Sequence, residues 1–379
     1  MNRSVMSSPT AALGSDASIV QFGTGRFLLA HVDALVSESL ASGASSRRLL
    51  VVQSSPREEG KRKARLLAAQ QRYPLRIRGR RDGVEIDREQ TVDSIDACVI
   101  AAERWQALTR HVVEHAEIIV SNTADDGFEV GADSSLNPLP TSYPGKLTQL
   151  LRARFDAGRD GLTLLPCELI EHNAQELLAR VIRLARRDGH PEAFIDWLQT
   201  RCVWADTLVD RIVSAPLEPL GAIAEPYALW AIARRPGLAL PCVHADVEVV
   251  DDLRPAMLRK LHILNLAHSV LVHHWQRLGQ PVATVREAMQ RDALSEPLRA
   301  LLDDEVLPTL AAELPLDELE RYRDVTLERF ANPFLDHRLA DIAQHHATKL
   351  ERRVRPVVER AARQGRQVPG LIAALGGAT

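Results

Sequence analysis

The alternation of short apolar runs with helical stretches restricts the fold of this chain more than any other feature. Ser18-Ile-Val-Gln-Phe22, Arg48-Leu-Leu-Val-Val-Gln53, Ala97-Cys-Val-Ile-Ala101, Glu117-Ile-Ile-Val-Ser121 and Gly161-Leu-Thr-Leu-Leu165 read as strands. Each is short for a helix and rich in branched aliphatic residues. Helix-forming stretches separate several of them, from Phe27 to Leu40 and from Trp105 to His115. Strands apolar on both faces need cover on both sides, which a parallel sheet gets from crossover helices. The pattern predicts an α/β fold: a Rossmann-type doubly wound, mainly parallel sheet over residues 1–250.

Strand-like runs cease beyond that point. Leu258–Leu278, Val282–Gln290, Leu298–Leu307 and Asp336–Arg355 all favour helix, with Pro308 and Pro356 marking breaks or fresh starts. Residues 251–379 are therefore expected to form an all-helical second domain. A length of 379 residues accommodates two domains, each with its own core.

Composition excludes several partners. The 47 basic and 50 acidic side chains leave a formal net charge of −3, which predicts neither nucleic-acid nor membrane-surface binding. Cys98, Cys167, Cys202 and Cys242 are too scattered for a structural zinc site, and no bound metal is expected. Reduced thiols, no signal-peptide pattern and no long apolar run together predict a cytoplasmic protein. The oligomeric state is left open between monomer and dimer.

The first strand runs into Gly23-Thr-Gly25 and then a helix, the setting a dinucleotide fingerprint requires. The first glycine permits the tight turn, and the second lets backbone approach a pyrophosphate. Leu28 stands where a third glycine is usual. At the end of the second strand, where an acid commonly binds the ribose diol, the chain reads Gln53-Ser-Ser-Pro-Arg57. NAD is the expected cofactor, with NADP left open because Arg57 suits a 2′-phosphate.

A second constellation lies in Arg259-Lys-Leu-His-Ile-Leu-Asn-Leu-Ala-His268. On an α-helix turning roughly 100° per residue, Asn265 and His268 lie about 140° and 80° round from Lys260, on one broad face. An amine, an amide and an imidazole supply a proton acceptor and hydrogen-bonding groups for an alcohol that loses hydride. The same segment also reads as a plain amphipathic core helix, with Leu261, Leu264, Leu271 and Val272 as its stripe. His262, about 200° round from Lys260, is expected to be a packing residue.

Further segments carry a resemblance. They are Gln21-Phe-Gly-Thr-Gly-Arg-Phe27, Ser121-Asn-Thr-Ala-Asp-Asp-Gly127, Tyr143-Pro-Gly-Lys-Leu-Thr-Gln-Leu150 and Leu165-Pro-Cys-Glu-Leu-Ile-Glu-His-Asn173. Thr207-Leu-Val-Asp-Arg-Ile-Val213, Glu225-Pro-Tyr-Ala-Leu-Trp230, the Lys260 run and Arg329-Phe-Ala-Asn-Pro333 through Pro356 follow. In this order they resemble the mannitol dehydrogenase family, the zinc-independent polyol-specific long-chain dehydrogenases. The likeness spans almost the whole chain. Cys167-Glu-Leu169 is similar to the members that reduce tagaturonate, whereas many mannitol-type members have an asparagine where Leu169 stands.

The resemblance implies substrate held in a cleft between the two domains, Lys260 as general acid/base, Asn265 on the reacting oxygen and His268 on the substrate. It also implies a catalytic amide at Asn173, and cofactor contacts from Gly23, Thr24, Gly25, Arg26, Phe27, Asn122 and Thr123. Arg211, Lys349 and Arg353 are weighed as substrate-binding residues. Lys349 and Arg353, four apart on a helix, read equally as a solvated basic face.

The expected activity is NAD(P)-dependent, metal-independent interconversion of a tagaturonate-like keto-sugar acid and its secondary alcohol. Alternatives are a dehydrogenase of mannitol or another polyol or polyol phosphate, and a non-catalytic nucleotide-binding protein.

Overall fold

The computed structural model of the chain describes residue 13 and residues 17–123 and 127–376. Three residues of the Ser121–Gly127 motif, Gly377 and most of the Ser/Ala-rich start, read as frayed, lie outside the described residues. The chain divides into two compact units: residues 1–76 with 89–253, and residues 77–88 with 254–379.

In the first unit, β1 (Ile19–Phe22) leads through α1 (Arg26–Ala30) and α2 (Val32–Ala41) to β2 (Leu49–Gln53) and α3 (Glu58–Gln70). The helix expected from Phe27 to Leu40 is broken at His31, whose φ of −120° and ψ of −78° are not helical. A hairpin follows, β3 (Tyr73–Arg81) and β4 (Val84–Val92), then β5 (Ile95–Ile100), α4 (Ala101–Glu114) and β6 (Ile118–Ser121). Next come α5 (Tyr143–Asp156), β7 (Thr163–Pro166), α6 (Asn173–Arg187), α7 (Glu192–Thr200) and β8 (Val203–Trp204).

The six-stranded sheet has the order β5-β2-β1-β6-β7-β8, with every pairing parallel. Counting only its own strands, that order is third, second, first, fourth, fifth, sixth, the doubly wound dinucleotide-binding topology. All residues of β1, β2, β6 and β7 are buried, as strands covered by helices on both faces must be. Phe22, Val52, Leu147, Leu164, Val181 and Phe194 contribute to one of its cores.

Two smaller sheets went unread in the sequence, most of their strands being short or lacking an apolar run. One joins β10 (Val213–Pro216) and β11 (Ala222–Ala224) to β3 and β4, and the other joins β9 (Thr207–Asp210), β12 (Leu229–Ala233) and β13 (Val247–Val250). The distal hairpin residues 77–88 group with the second unit, although the sequence pattern keeps everything before residue 250 together.

The second unit is otherwise helical: α8 (Arg254–Arg259), a π-helix (Lys260–Asn265), α9 (Leu266–Arg277), α10 (Val285–Met289) and α11 (Asp292–Leu301). A second π-helix (Leu302–Val306) precedes α12 (Leu307–Leu310), α13 (Leu316–Phe330), α14 (Leu339–Ile342), α15 (His346–Arg353), α16 (Arg355–Arg363) and α17 (Pro369–Gly376). Ile263, Leu264, Leu271, Leu302, Leu319, Leu350 and Val357 belong to its own core. The expected helix from Asp336 to Arg355 is two shorter ones, because His345 adopts left-handed backbone (φ 55°) between them. Among the described residues no helix is long and apolar enough to cross a membrane.

Candidate active site

The residues singled out in the sequence fall in both units, and each set is organised within its own unit. In the first, the sheet reverses direction of growth between β1 and β6, the switch point beside whose strand ends α/β sheets bind ligands. The turn after β1 and the loop after β6 meet there. The Asn122 amide donates to Phe22 O at 3.1 Å, and the Gly23 amide to Val52 O at 3.0 Å.

Gly23 has φ +132°, and a Cβ on it would come within 2.7 Å of Leu28 Cδ1 and 2.9 Å of Asn122 O. Leu28, in the place of the third glycine, thus helps explain why the first must be glycine. Gly25 is the opposite case: it is exposed, and a Cβ there would meet nothing within 4 Å. This open face fits a pyrophosphate pressed against backbone.

Thr24 is buried, and its hydroxyl donates to Gln53 Oε1 at the end of β2. Gln53 Nε2 donates to Ser55 O and Oγ at 2.9 and 2.8 Å. A neutral amide therefore links the glycine turn to the β2–α3 loop where an acid would face a ribose. Arg26 is exposed, and Phe27 stacks on His31 with ring centroids 4.9 Å apart.

Asn122 and Thr123 are held from β7. Glu168 accepts from Thr123 N at 3.0 Å, Thr123 Oγ1 at 2.9 Å and Ser121 Oγ at 3.1 Å, while Asn122 Nδ2 donates to Cys167 O at 2.9 Å. Burial raises the Glu168 carboxyl above its usual value, and the three donors oppose that rise. Its grip on the loop needs the β6–β7 pairing.

Two residues expected at the site in this unit are engaged by the framework. Asn173, expected as a catalytic amide, is 1% exposed, and its Nδ2 donates to Pro166 O (3.0 Å), Glu168 O (3.1 Å) and Thr207 O (3.0 Å). Its Oδ1 accepts from Thr207 N at 3.0 Å. That amide ties the end of β7 to β9, with three carbonyls within reach of its two hydrogens. Arg211, weighed as a substrate contact, is buried and donates to Ala30 O at 2.7 Å and Glu225 O at 3.1 Å, which makes it a brace between backbone segments. Leu169 is 66% exposed.

In the second unit the Lys260 segment is a π-helix, not the α-helix used to judge its faces. The Leu266 amide reaches back to Leu261 O, the i→i+5 step of the wider turn. A wider turn rotates less per residue, so Lys260 and Asn265, five apart, come closer to one face than α-helical geometry allows. Such π segments are rare and are found frequently at functional sites.

Arg353 braces this segment. Its Nη1 donates to Asn265 O at 3.2 Å and Ser269 Oγ at 3.0 Å, and its carbonyl accepts from His262 Nδ1 at 2.9 Å. Burial lowers the Arg353 guanidinium to about 10, still charged at neutral pH. His262 is buried, with Arg360 donating to its Nε2 at 3.2 Å, and burial lowers it to about 4. It packs as expected, but as a hydrogen-bonded strut. Lys349 Nζ donates to Ile342 O at 2.8 Å, and burial lowers its pKa.

His268 is 7% exposed, its ring 4.1 Å from that of Phe330. Nδ1 lies 3.1 Å from Leu264 O, a pure acceptor, so Nδ1 carries the proton. Burial, then the charges of His337, Arg353 and Arg329, drive the pKa well below the usual histidine value. The ring is neutral, and Nε2 is a buried acceptor with no protein partner. Lys260 and Asn265 are half-buried. Among the described residues no cluster of His, Cys, Asp or Glu converges as metal ligands would.

Residues 17–239 match the mannitol dehydrogenase Rossmann domain model, and residues 252–379 match the mannitol dehydrogenase C-terminal domain model. The chain belongs to the mannitol dehydrogenase family. Altronate oxidoreductase of Bacillus subtilis is 31% identical over 375 residues, covering 93% of this chain and 76% of that one. Altronate oxidoreductase of Klebsiella pneumoniae is 32% identical over 382 residues, with the same two coverages.

The fold matches a substrate-free D-sorbitol dehydrogenase with TM-score 0.84 at 22% identity, covering 96% of this chain and 80% of that one. It also matches a Pseudomonas fluorescens mannitol 2-dehydrogenase solved with NAD and D-mannitol, with TM-score 0.75 at 19% identity and coverages of 97% and 81%. This family member is thus an oxidoreductase of the secondary-alcohol dehydrogenase type, with a Rossmann domain.

Proposed function

We propose that this chain reduces a keto-sugar acid of the tagaturonate kind to its secondary alcohol, and catalyses the reverse, with NAD(H) as cofactor. The observation that carries the reading is the neutral, inward-held His268 ring, on the same helical run as Lys260 and Asn265. The names of the relatives that are 31–32% identical support it, and the cations Lys349 and Arg353 of the same unit suit a carboxylate.

When bound, the nicotinamide takes up or gives the hydride at the reacting carbon. The Lys260 amine accepts the hydroxyl proton during oxidation and returns it to the carbonyl oxygen during reduction. Asn265 Nδ2 donates to that oxygen as charge gathers on it. His268 Nε2, an acceptor only, takes the proton of a substrate hydroxyl in a hydrogen bond. An unperturbed lysine near 10.4 would seldom be neutral at pH 7, so the role requires an amine whose charged form is disfavoured.

The test is Lys260→Ala, with NADH and NADPH oxidation followed against tagaturonate, fructose and fructose 6-phosphate. Loss of several orders of magnitude in kcat with unchanged NADH affinity is expected, and turnover within about tenfold of wild type removes Lys260 as the base. A second reading, a neutral-polyol dehydrogenase, is favoured by one observation: the Arg353 guanidinium already serves Asn265 O and Ser269. Turnover of fructose with no preference for the keto-acid decides for it.

A further inference from the structure

Beside His268 stands a second imidazole that the sequence reading does not single out. His337 lies between α13 and α14, in a segment pinned by Val285 N donating to His337 O at 2.9 Å and by a bridge between Thr284 and Arg338. Its ring meets the His268 ring edge-on, with centroids 5.1 Å apart and planes at 64°. His337 Nδ1, like His268 Nε2, is buried without a protein partner.

Native interiors pair nine in ten or more of their buried polar groups, and each orphan forfeits about 1–3 kcal/mol. Two orphans on adjacent rings are best explained by a hydrogen-bonding ligand. His346, at the start of α15, adds two more unpartnered buried nitrogens. Burial keeps His337 and His346 below the usual histidine pKa, so both present neutral nitrogens. Lys349, Arg353 and Arg329 supply positive charge around this set, and Asp341 beside His337 is a carboxylate among them. Neutral imidazoles in a positive field suit a molecule with several hydroxyls and one anionic end.

We propose that His337 is a specificity-determining residue that binds a substrate hydroxyl neighbouring the one held by His268. The proposal rests on the reading of His268 as a substrate contact. It places the determinant in the segment after Asn332-Pro333, at a residue given no role in inferring the activity.

The experiment compares wild type, His337→Ala and His337→Asn, the asparagine amide reaching near the position of Nδ1. Steady-state reduction of tagaturonate and of fructose is measured, together with NADH affinity by fluorescence and the thermal shift induced by tagaturonate. His337→Ala is expected to raise KM at least tenfold on the better substrate, with the loss concentrated in KM rather than kcat and with NADH affinity unchanged. His337→Asn is expected to recover most of that loss, which a merely structural role would not give. If the alanine variant fails to fold, the asparagine variant is compared with His337→Leu, and only the asparagine is expected to keep KM near wild type.

A KM within twofold of wild type in His337→Ala overturns the proposal. If wild type turns over fructose alone, the keto-acid reading fails while the His337 effect is still read on fructose. If wild type turns over neither substrate and tagaturonate induces no thermal shift, both readings fall.

Discussion

Replacing Asp33 by asparagine should stabilise this protein at neutral and alkaline pH. Asp33 lies on α2 and is fully enclosed. Tyr73 Oη sits 2.7 Å from Leu29 O and 3.0 Å from Asp33 Oδ2. A phenol has one proton to share between these two acceptors, so both contacts are fully met only when Asp33 carries a proton and donates in its turn. Burial pushes the Asp33 carboxyl up from 3.8 to about 7, although Gln21 and Tyr73 pull the other way.

The folded pKa lies above the unfolded one. The contribution to stability is therefore fully present in acid, below about pH 4, and is lost as pH rises through about 7. A gap of about three units at 1.36 kcal/mol each amounts to roughly 4 kcal/mol withheld from the folded state at pH 8. Asparagine keeps the shape and the donor but cannot ionise.

Urea unfolding followed by tryptophan fluorescence, at pH 4, 6 and 8, reads the effect as a difference between variants, in which most other titrating groups cancel. Asp33→Asn should match wild type at pH 4 and exceed it by roughly 2–4 kcal/mol at pH 8. A difference that is flat with pH, or an asparagine variant weaker at pH 8, would refute the protonated-carboxyl argument.

The two glycines of the cofactor turn should separate. Gly23→Ala forces a side chain into φ +132° against Leu28 and Asn122 O, and should lower stability by about 2 kcal/mol or more along with NADH affinity. Gly25→Ala, with open space at its Cβ, should leave the melting temperature unchanged and weaken NADH binding alone. Asn173→Ala strands the Pro166, Glu168 and Thr207 backbone groups and should cost about 3 kcal/mol of stability, with kcat kept in the folded fraction. A hundredfold loss of kcat at unchanged stability would restore its catalytic role. Asn265→Ala should lower kcat about 10²–10³-fold, the usual effect of losing one donor to a developing oxyanion, and unchanged turnover would remove it from the chemistry.

Local sequence decided the parallel sheet, the glycine turn and the run that carries Lys260, Asn265 and His268. Strand length, apolarity and turn residues are properties of neighbouring positions, and periodicity reads them. It did not decide the register of that run: the π-turn is braced by Arg353, 88 residues away from Asn265. Nor did it decide what Asn173 does, because its partners include Thr207, 34 residues further on. The same holds for His268 and His337, whose rings meet only when α9 packs against the segment before α14. Whether a polar side chain is consumed by the framework or left with an orphaned nitrogen depends on groups distant in sequence, and packing alone brings those groups within hydrogen-bonding range.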